Sequence, residues 1–347
     1  MKKIKAAIVG LGRIASLLEE DALREKPCTH AGAVTSSDDC FIAAGCDTNE
    51  ERRKLFAEKW SCNGTQVQVF SDAAQMLSLL KPEIFIIATH PDSHYHYCRI
   101  ASEMQVPVVI CEKPLADSIG KAKKIAKLAA SGGITIITNH ERRYSLDYIR
   151  IKEILEEESF GALISVHAKL YMGKTMRLLD QLWHDGTHLA DAIMFLTDSV
   201  LKHRRTWGAS LTSRSGTAWL DGELQQHKSS SASPRLCVRS SGIPVLIEIG
   251  AGRDHLVFEI EFSCERGRLR IGNGIFEIWE SVPSPYVEKF RSLKNTEETF
   301  PGVTGYFANM IKDAAACVKD PKKKPVSGAA DGLRVIEYLN SVKKWRS

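Results

Sequence analysis

The sequence predicts an α/β domain built on a doubly wound parallel sheet, followed by an α+β domain with a large, mostly antiparallel open sheet. Three observations predict it. Short apolar runs alternate with helical segments over the first 140 residues. A glycine-rich turn, Gly10-Leu11-Gly12-Arg13-Ile14-Ala15, directly follows the first of these runs. From about Arg204 to Trp279, strand-like runs succeed one another with only turn residues between them.

In order, residues 4–9 form a short apolar run closed by glycine, which reads as a buried strand. A helix start follows over 12–20. Phe41 to Asp47 (FIAAGCD) is a second buried strand, and Asn49 to Lys59 is a charged helix. A helix over 72–80 precedes the strand EIFIIAT. His94 to Met104 fits a helix, VPVVICE a strand, and Ser118 to Ala130 an amphipathic helix closed by Gly132 and Gly133. ITIITN is the last strand of the set. Beyond it, Leu146 to Glu158 and Leu182 to Leu196 read as helices, with ALISVHAKLYM alternating between them as a half-exposed strand. RTWGASL, RLCVRS, PVLIEIGAG, HLVFEIEFS, RLRIGN and IFEIWE are then strands, with a polar hairpin loop over Leu224 to Pro234. Two helices, near 304–318 and 328–344, close the chain. The expected division is 1–140 and 141–347, with a C-terminal helix able to return to the first domain.

A chain of 347 residues has length for two cores. It is 44% hydrophobic and 26% charged, ordinary values for a globular protein. The net charge of +5 is scattered. Its one dense basic run, KDPKKKP at 319–325, lacks the interleaved aromatics of a nucleic-acid surface, so no nucleic-acid partner is expected. The nine cysteines show no CxxC pair and no metal-ligand spacing, and several sit in apolar runs. No segment approaches the ~20 apolar residues of a membrane span, and the N-terminus lacks the long apolar region of a signal peptide. A cytoplasmic protein with no membrane partner is expected.

The turn after the first strand has the GxGxxA form of a dinucleotide site. Gly10 permits the tight turn, Gly12 removes the side chain that would block a pyrophosphate, and Ala15 lets helix and strand pack closely. Leu11, Arg13 and Ile14 complete the turn, and the following helix start offers amide donors to phosphate. Asp47, at the end of the second strand, can accept both adenosine ribose hydroxyls and would repel a 2′-phosphate. NAD is therefore expected over NADP, with Arg52 and Arg53 as the opposing feature. The spacing from Gly10 to Asp47 exceeds the usual ~20 residues. EEDALREKPCTHAGAVTSSDD reads as the insertion responsible.

ATHPDSH at 88–94 and VICEKPLA at 109–116 resemble the Gfo/Idh/MocA oxidoreductases, the family of glucose–fructose oxidoreductase and inositol dehydrogenase. The resemblance extends to RRY at 142–144, FGALISV at 160–166, GTHLAD at 186–191 and VSGAADGLRVIE at 326–337. It implies a Rossmann domain followed by an α+β domain whose open sheet often forms an oligomer interface. A homodimer or homotetramer is expected, through apolar residues on the uncovered sheet face.

The resemblance makes Lys113 of EKP the catalytic lysine, able to hydrogen-bond the reacting oxygen and stabilise developing alkoxide. Glu112 would orient the lysine or the cofactor, and Thr89 and His94 would lie in the cofactor loop. His188 matches the family's histidine at the substrate carbon, where a neutral imidazole can take the hydroxyl proton. Where the family commonly carries aspartate four residues earlier, this chain has His184, with Asp185 one step along. Helical spacing places His184 and His188 on one face, so His184 is expected as a helper. HxxxH without a third ligand is not read as a metal site. Arg142, Arg143, Tyr171, Lys174, Arg177, Trp183 and Asp185 are candidates for the substrate pocket.

These readings imply a nicotinamide-dependent dehydrogenase acting on a carbinol carbon of a sugar, sugar derivative or cyclitol. Two alternatives keep the same fold: a glycosidase working by oxidation, elimination and re-reduction on tightly held NAD, and a non-catalytic regulator that senses a dinucleotide.

Overall fold

A computed structural model describes residues 3–61, 66–173, 176–226, 242–300 and 302–344. The expected strand RLCVRS and most of the expected hairpin loop lie outside these residues. The chain divides into two compact units, Met1–Ser145 with Val303–Ile336, and Leu146–Gly302 with Glu337–Ser347. The expected division placed 141–347 together, with a C-terminal helix able to return to the first domain; here Val303–Ile336 groups with the first unit.

The first unit contains β1 (Ile4–Val9), α1 (His30–Thr35), β2 (Cys40–Cys46), α2 (Glu50–Trp60), β3 (Gln68–Phe70), α3 (Ala73–Leu80) and β4 (Ile84–Ile87). It continues through α4 (His94–Glu103), β5 (Val108–Cys111), α5 (Ile119–Ala130) and β6 (Thr135–Thr138). The six strands lie in the order β3-β2-β1-β4-β5-β6, and every pairing is parallel. β4 and β5 are sandwiched in apolar core and wholly buried, which is why their sequences, IFII and VVIC, are unbroken apolar runs rather than alternating ones. Strand order reverses between β1 and β4, so the carboxyl ends of those two strands open the crevice at which such sheets bind ligands. Asn49, Asp72 and Ser118 each accept a hydrogen bond from the backbone N–H three residues on, fixing the starts of α2, α3 and α5.

The expected helix over 12–20 is not a regular helix. Residues 12–16 turn back on the Gly12 carbonyl, Leu17–Glu20 form a 3-10 turn, and the chain then makes an excursion before helix resumes at His30. His30 N donates to Ile14 O at 3.2 Å and Ala31 N to Ala15 O at 2.9 Å, so α1 restarts against the turn that the chain had left. The excursion is internally tied: Glu19 Oε2 accepts from Thr29 Oγ1 at 2.6 Å and from Cys28 N at 3.2 Å. Glu25 accepts from Thr304 N at 2.8 Å and Gly305 N at 2.7 Å. It thereby caps the helix Tyr306–Lys319 with a carboxylate at its positive end. Residues 326–328 bond to the end of β6, with Thr138 N donating to Ser327 O at 2.9 Å and Ser327 Oγ to Thr138 O at 2.7 Å.

The second unit begins with α6 (Leu146–Glu156), β7 (Leu163–Met172), α7 (Leu178–His184) and α8 (Gly186–Leu196). Seven strands follow: β8 (Ser199–Gly208), β9 (Gly216–Gln226), β10 (Ile243–Ala251), β11 (Leu256–Cys264), β12 (Gly267–Gly272), β13 (Ile275–Pro283) and β14 (Arg291–Asn295). The sheet order is β14-β13-β12-β11-β7-β10-β9-β8, antiparallel throughout except for β7 with β10. β9 and β14 were not read from the sequence. α6, α7 and α8 pack on one face, where Val166, Ala168, Leu170, Ile247 and Ile260 point. The residues between them form the outer face, which carries a charge ladder together with Ile164, Trp279 and the stacked Trp207 and Trp219. Lys169 meets Glu259 at 2.9 Å, and Arg270 bridges Glu259 at 3.0 Å and Glu277 at 2.9 Å. Period-two alternation assigned those charged residues to this side once the apolar set was committed to the helices. The chain ends in α9 (Tyr306–Lys319) and α10 (Ala329–Lys344). Among the described residues no helix is long and apolar enough to cross a membrane.

Candidate active site

The glycine turn sits at the carboxyl end of β1. Gly10 has φ +82°, and a Cβ there would lie 2.7 Å from Ala88 O and 2.8 Å from Thr89 Cγ2. Only glycine allows this approach between the β1 and β4 termini. A Cβ on Gly12 would meet nothing within 4 Å, so the space over the second glycine is open, as a pyrophosphate cradle requires. The residues present thus fit a dinucleotide. Arg13 is exposed beside the turn, and Ile14 is half-buried.

Asp47 follows β2 and is 8% exposed. Its Oδ2 accepts from Leu11 N at 2.8 Å and its Oδ1 from Asn49 N at 2.9 Å. Arg52 Nη1 approaches Oδ2 at 3.7 Å, whereas Arg53 turns to the carbonyls of Asp47 and Thr48 at 2.8 and 3.0 Å. The carboxylate therefore braces the glycine turn while standing at the crevice.

Thr89 lies just past β4, its hydroxyl 2.7 Å from Ser93 Oγ. His94, with no exposed surface, places Nε2 3.0 Å from Thr89 O and Nδ1 3.1 Å from Pro114 O. Burial pulls its pKa below the usual histidine value, against the opposing pull of those carbonyls. His94 is thus a clamp between the β4 loop and the segment after Lys113. The Lys113–Pro114 peptide bond is cis.

Lys113 is half-buried at the carboxyl end of β5. Glu112, 6% exposed, accepts from Lys113 N at 3.2 Å through Oε2, and its Oε1 faces His30 Nε2 at 2.7 Å and Asn139 Nδ2. Burial alone would raise its pKa, but these donors and the Lys113 charge leave it below the usual carboxylate value. Sequence reasoning missed His30, which stands in the stretch read as insertion, and Asn139, read only as the end of a strand. It also missed Glu141. That half-buried residue, in the turn Glu141–Tyr144 after β6, has a pKa raised to about 7 by desolvation, against the pull of Arg142 and Lys113.

The arginine pair divides. Arg142 is half-buried. Arg143 is 6% exposed, with Nη1 3.1 Å from Asp331 Oδ1 and 3.2 Å from Val326 O. That bonding makes Arg143 a fastener of the segment 326–331. Burial pushes the Asp331 carboxyl up, and Arg143 and Arg334 more than offset it.

In the second unit, the expected helix from Leu182 to Leu196 is described as two helices that meet at Asp185 (φ −100°, ψ −18°), where Asp185 N still donates to Gln181 O at 3.0 Å and Leu189 N to Asp185 O at 3.2 Å. His184 ends α7, exposed, with Nδ1 2.8 Å from Asp185 Oδ2. His188 lies in the first turn of α8 and is 7% exposed. The two imidazoles thus differ in surroundings, His184 exposed and His188 buried. Trp183 is half-buried on α7, and Arg177 is paired with Asp180 at 2.7 Å. Tyr171 lies on the outer face of the sheet, its hydroxyl donating to Glu248 at 2.5 Å beneath the Arg253 guanidinium. Lys174 is outside the described residues. Among the described residues, no group of three or more His, Cys, Asp or Glu is placed to hold a metal.

The sequence model described as "Oxidoreductase family, NAD-binding Rossmann fold" (Gfo/Idh/MocA) matches residues 4–140. The D-glucoside 3-dehydrogenase of Escherichia coli K12 is 22% identical over 204 residues, 56% of this chain and 54% of that enzyme. The inositol 2-dehydrogenase of Salmonella typhimurium LT2 is 25% identical over 174 residues, 50% of this chain and 47% of that enzyme. The chain thus matches about half the length of these curated relatives. An oxidoreductase from Agrobacterium radiobacter, solved with NAD+, L-tartaric acid and magnesium, shares the fold with a TM-score of 0.70 at 17% identity, over 99% of this chain and 98% of that one. The glycine cradle at the strand-order reversal lies within residues 4–140, the stretch that matches the NAD-binding Rossmann model of the Gfo/Idh/MocA oxidoreductases.

Proposed function

We propose that the protein is an NAD-dependent dehydrogenase that moves a hydride between nicotinamide and a carbinol carbon of a sugar, sugar derivative or cyclitol. The observation that carries the reading is Lys113, held at the carboxyl end of β5 by a buried anionic Glu112, on the same sheet edge as the open cradle over Gly12. The relatives' names point to the same class of substrate.

When bound, the nicotinamide accepts or returns the hydride. Gly10 to Ile14 would hold the pyrophosphate, and Asp47 the adenosine ribose, its charge favouring NAD over NADP. Thr89, His94 and Glu112 shape the loops around it. Lys113 Nζ hydrogen-bonds the reacting oxygen and stabilises its developing negative charge. His188 takes the hydroxyl proton, a role carried by resemblance, and Arg142, Trp183 and Asp185 are the remaining candidates for substrate contact. We further propose a homodimer or homotetramer in solution, which light scattering at micromolar concentration would reject by returning a monomer mass.

The test is a screen of sugars, inositols and their acid and phosphate derivatives with NAD, read at the NADH absorbance, on wild type and Lys113→Ala. Turnover should fall by ~10² to 10⁴ in the variant while NAD affinity stays within a few-fold. Turnover without NADH release or added cofactor would favour the oxidation–elimination reading. No turnover with retained NAD binding would favour the regulator.

A further inference from the structure

The least expected feature beside Lys113 is a histidine delivered by the insertion. His30 has no exposed surface, and its ring stands edge-on to Phe307 with centroids 5.2 Å apart. Its Nδ1 has no hydrogen-bond partner among the described residues, so the imidazole makes its one polar bond at Nε2, 2.7 Å from Glu112 Oε1. An ionised carboxylate can only accept, so His30 carries its proton on Nε2 and donates it. Asn139 Nδ2 donates to the same oxygen, and Lys113 N donates to the other.

Removing His30 would leave a buried anion short of one of its three donors. A hydrogen bond to a charged group is among the stronger ones, and a buried charge is costly once a partner is lost. The chain also spends structure on this contact. Thr29 caps α1 by accepting from Gly32 N at 3.0 Å, Glu19 ties the excursion closed, and α1 restarts on the Ile14 and Ala15 carbonyls with His30 as its first residue.

We propose that His30 is a positioning residue for Lys113: by donating to Glu112 it keeps that carboxylate an anion, and Glu112 in turn orients the Lys113 backbone and ammonium. The proposal rests on the dehydrogenase reading for its kinetic consequences but not for its chemistry.

The experiment compares His30→Phe, which keeps a ring against Phe307 but removes the donor, with His30→Gln, which restores an amide N–H near the Nε2 position. His30→Phe should lower kcat by ~10- to 100-fold, the worth of one hydrogen bond to a charged group. NADH affinity, read by fluorescence, should stay within a few-fold, and the acid limb of the kcat–pH profile should move to higher pH. His30→Gln should recover most of the rate. A folded His30→Phe with the rate and pH profile of the wild type overturns the proposal, as does equal loss in both variants. If the wild type turns over no substrate, the dehydrogenase reading falls and a second readout decides this one. Carbon-13 NMR titration of the Glu112 carboxyl, assigned by Glu112→Gln, should show it protonating at higher pH in His30→Phe than in wild type. An unchanged titration overturns the proposal.

Discussion

The Leu11 amide donates to the Asp47 carboxylate across 2.8 Å, so the residue proposed to hold the adenosine ribose also braces the glycine turn. This gives Asp47 two separable duties. Asp47→Asn keeps a side-chain oxygen for the amide and loses the charge. Its melting temperature should change little, while the preference for NAD over NADP should fall by ~10-fold or more, since the carboxylate repulsion is gone and Arg52 stays near. Titration calorimetry with both dinucleotides checks it. Tighter binding of NADP than NAD by the wild type would reject the ribose reading.

Two glycines of one motif should respond in opposite ways. At Gly10 a Cβ would strike Ala88 O at 2.7 Å in a backbone of φ +82°, so Gly10→Ala should cost ~2–4 kcal/mol of stability. At Gly12 the added methyl meets no atom within 4 Å. Gly12→Ala should therefore melt within a few degrees of wild type and bind NAD at least ~10-fold more weakly, because the methyl occupies the cradle. Denaturant unfolding and calorimetry on both variants separate the effects.

His188 and His184 should differ sharply. His188→Ala should lower turnover by ~10² to 10⁴ and flatten the pH dependence near neutrality, the signature of a lost general base. His184 is 60% exposed and bonded to Asp185, so His184→Ala should cost less than ~10-fold. Steady-state kinetics across pH 5–9 on the substrate found by screening decides. Equal effects of the two substitutions would mean that the exposed imidazole does more than its position indicates.

Glu141 makes stability pH-dependent. Its pKa is raised from the ordinary 4.5 to about 7 by desolvation. Between those values the folded protein holds a proton that the unfolded chain has lost, so stability falls as pH rises through that window and stays lowered above it. Glu141→Gln removes the penalty. The variant should gain on wild type as pH rises from 5 to 8, by ~1–3 kcal/mol at the upper end. Thermal melts at both pH values check this. An identical difference at pH 5 and pH 8 would show that the carboxyl does not titrate there.

Local pattern was enough to read most elements because their causes are local. Unbroken apolar runs such as IFII and VVIC, short and set between helical segments, read as strands buried on both faces, and GxGxxA after a strand has few other uses. The same locality explains the misses. β9 (Gly216–Gln226) mixes Gly, Asp and Glu with its apolar residues, and β14 (Arg291–Asn295) is a short polar strand at the sheet edge. Both are strands because a neighbour pairs with them, which no window of residues records.

The sequence by itself determined the doubly wound sheet, the cradle and the placing of Asp47 at the end of β2, since each depends on residues adjacent in the chain, and its EKP string singled out Lys113 as the candidate lysine. Tertiary structure decided who stands beside that lysine. His30 and Asn139 reach Glu112 from 82 and 27 positions away, and Arg143 is taken up by Asp331. The physical reason is that a buried charge must find its donors wherever the fold brings them, and chain distance plays no part in that requirement.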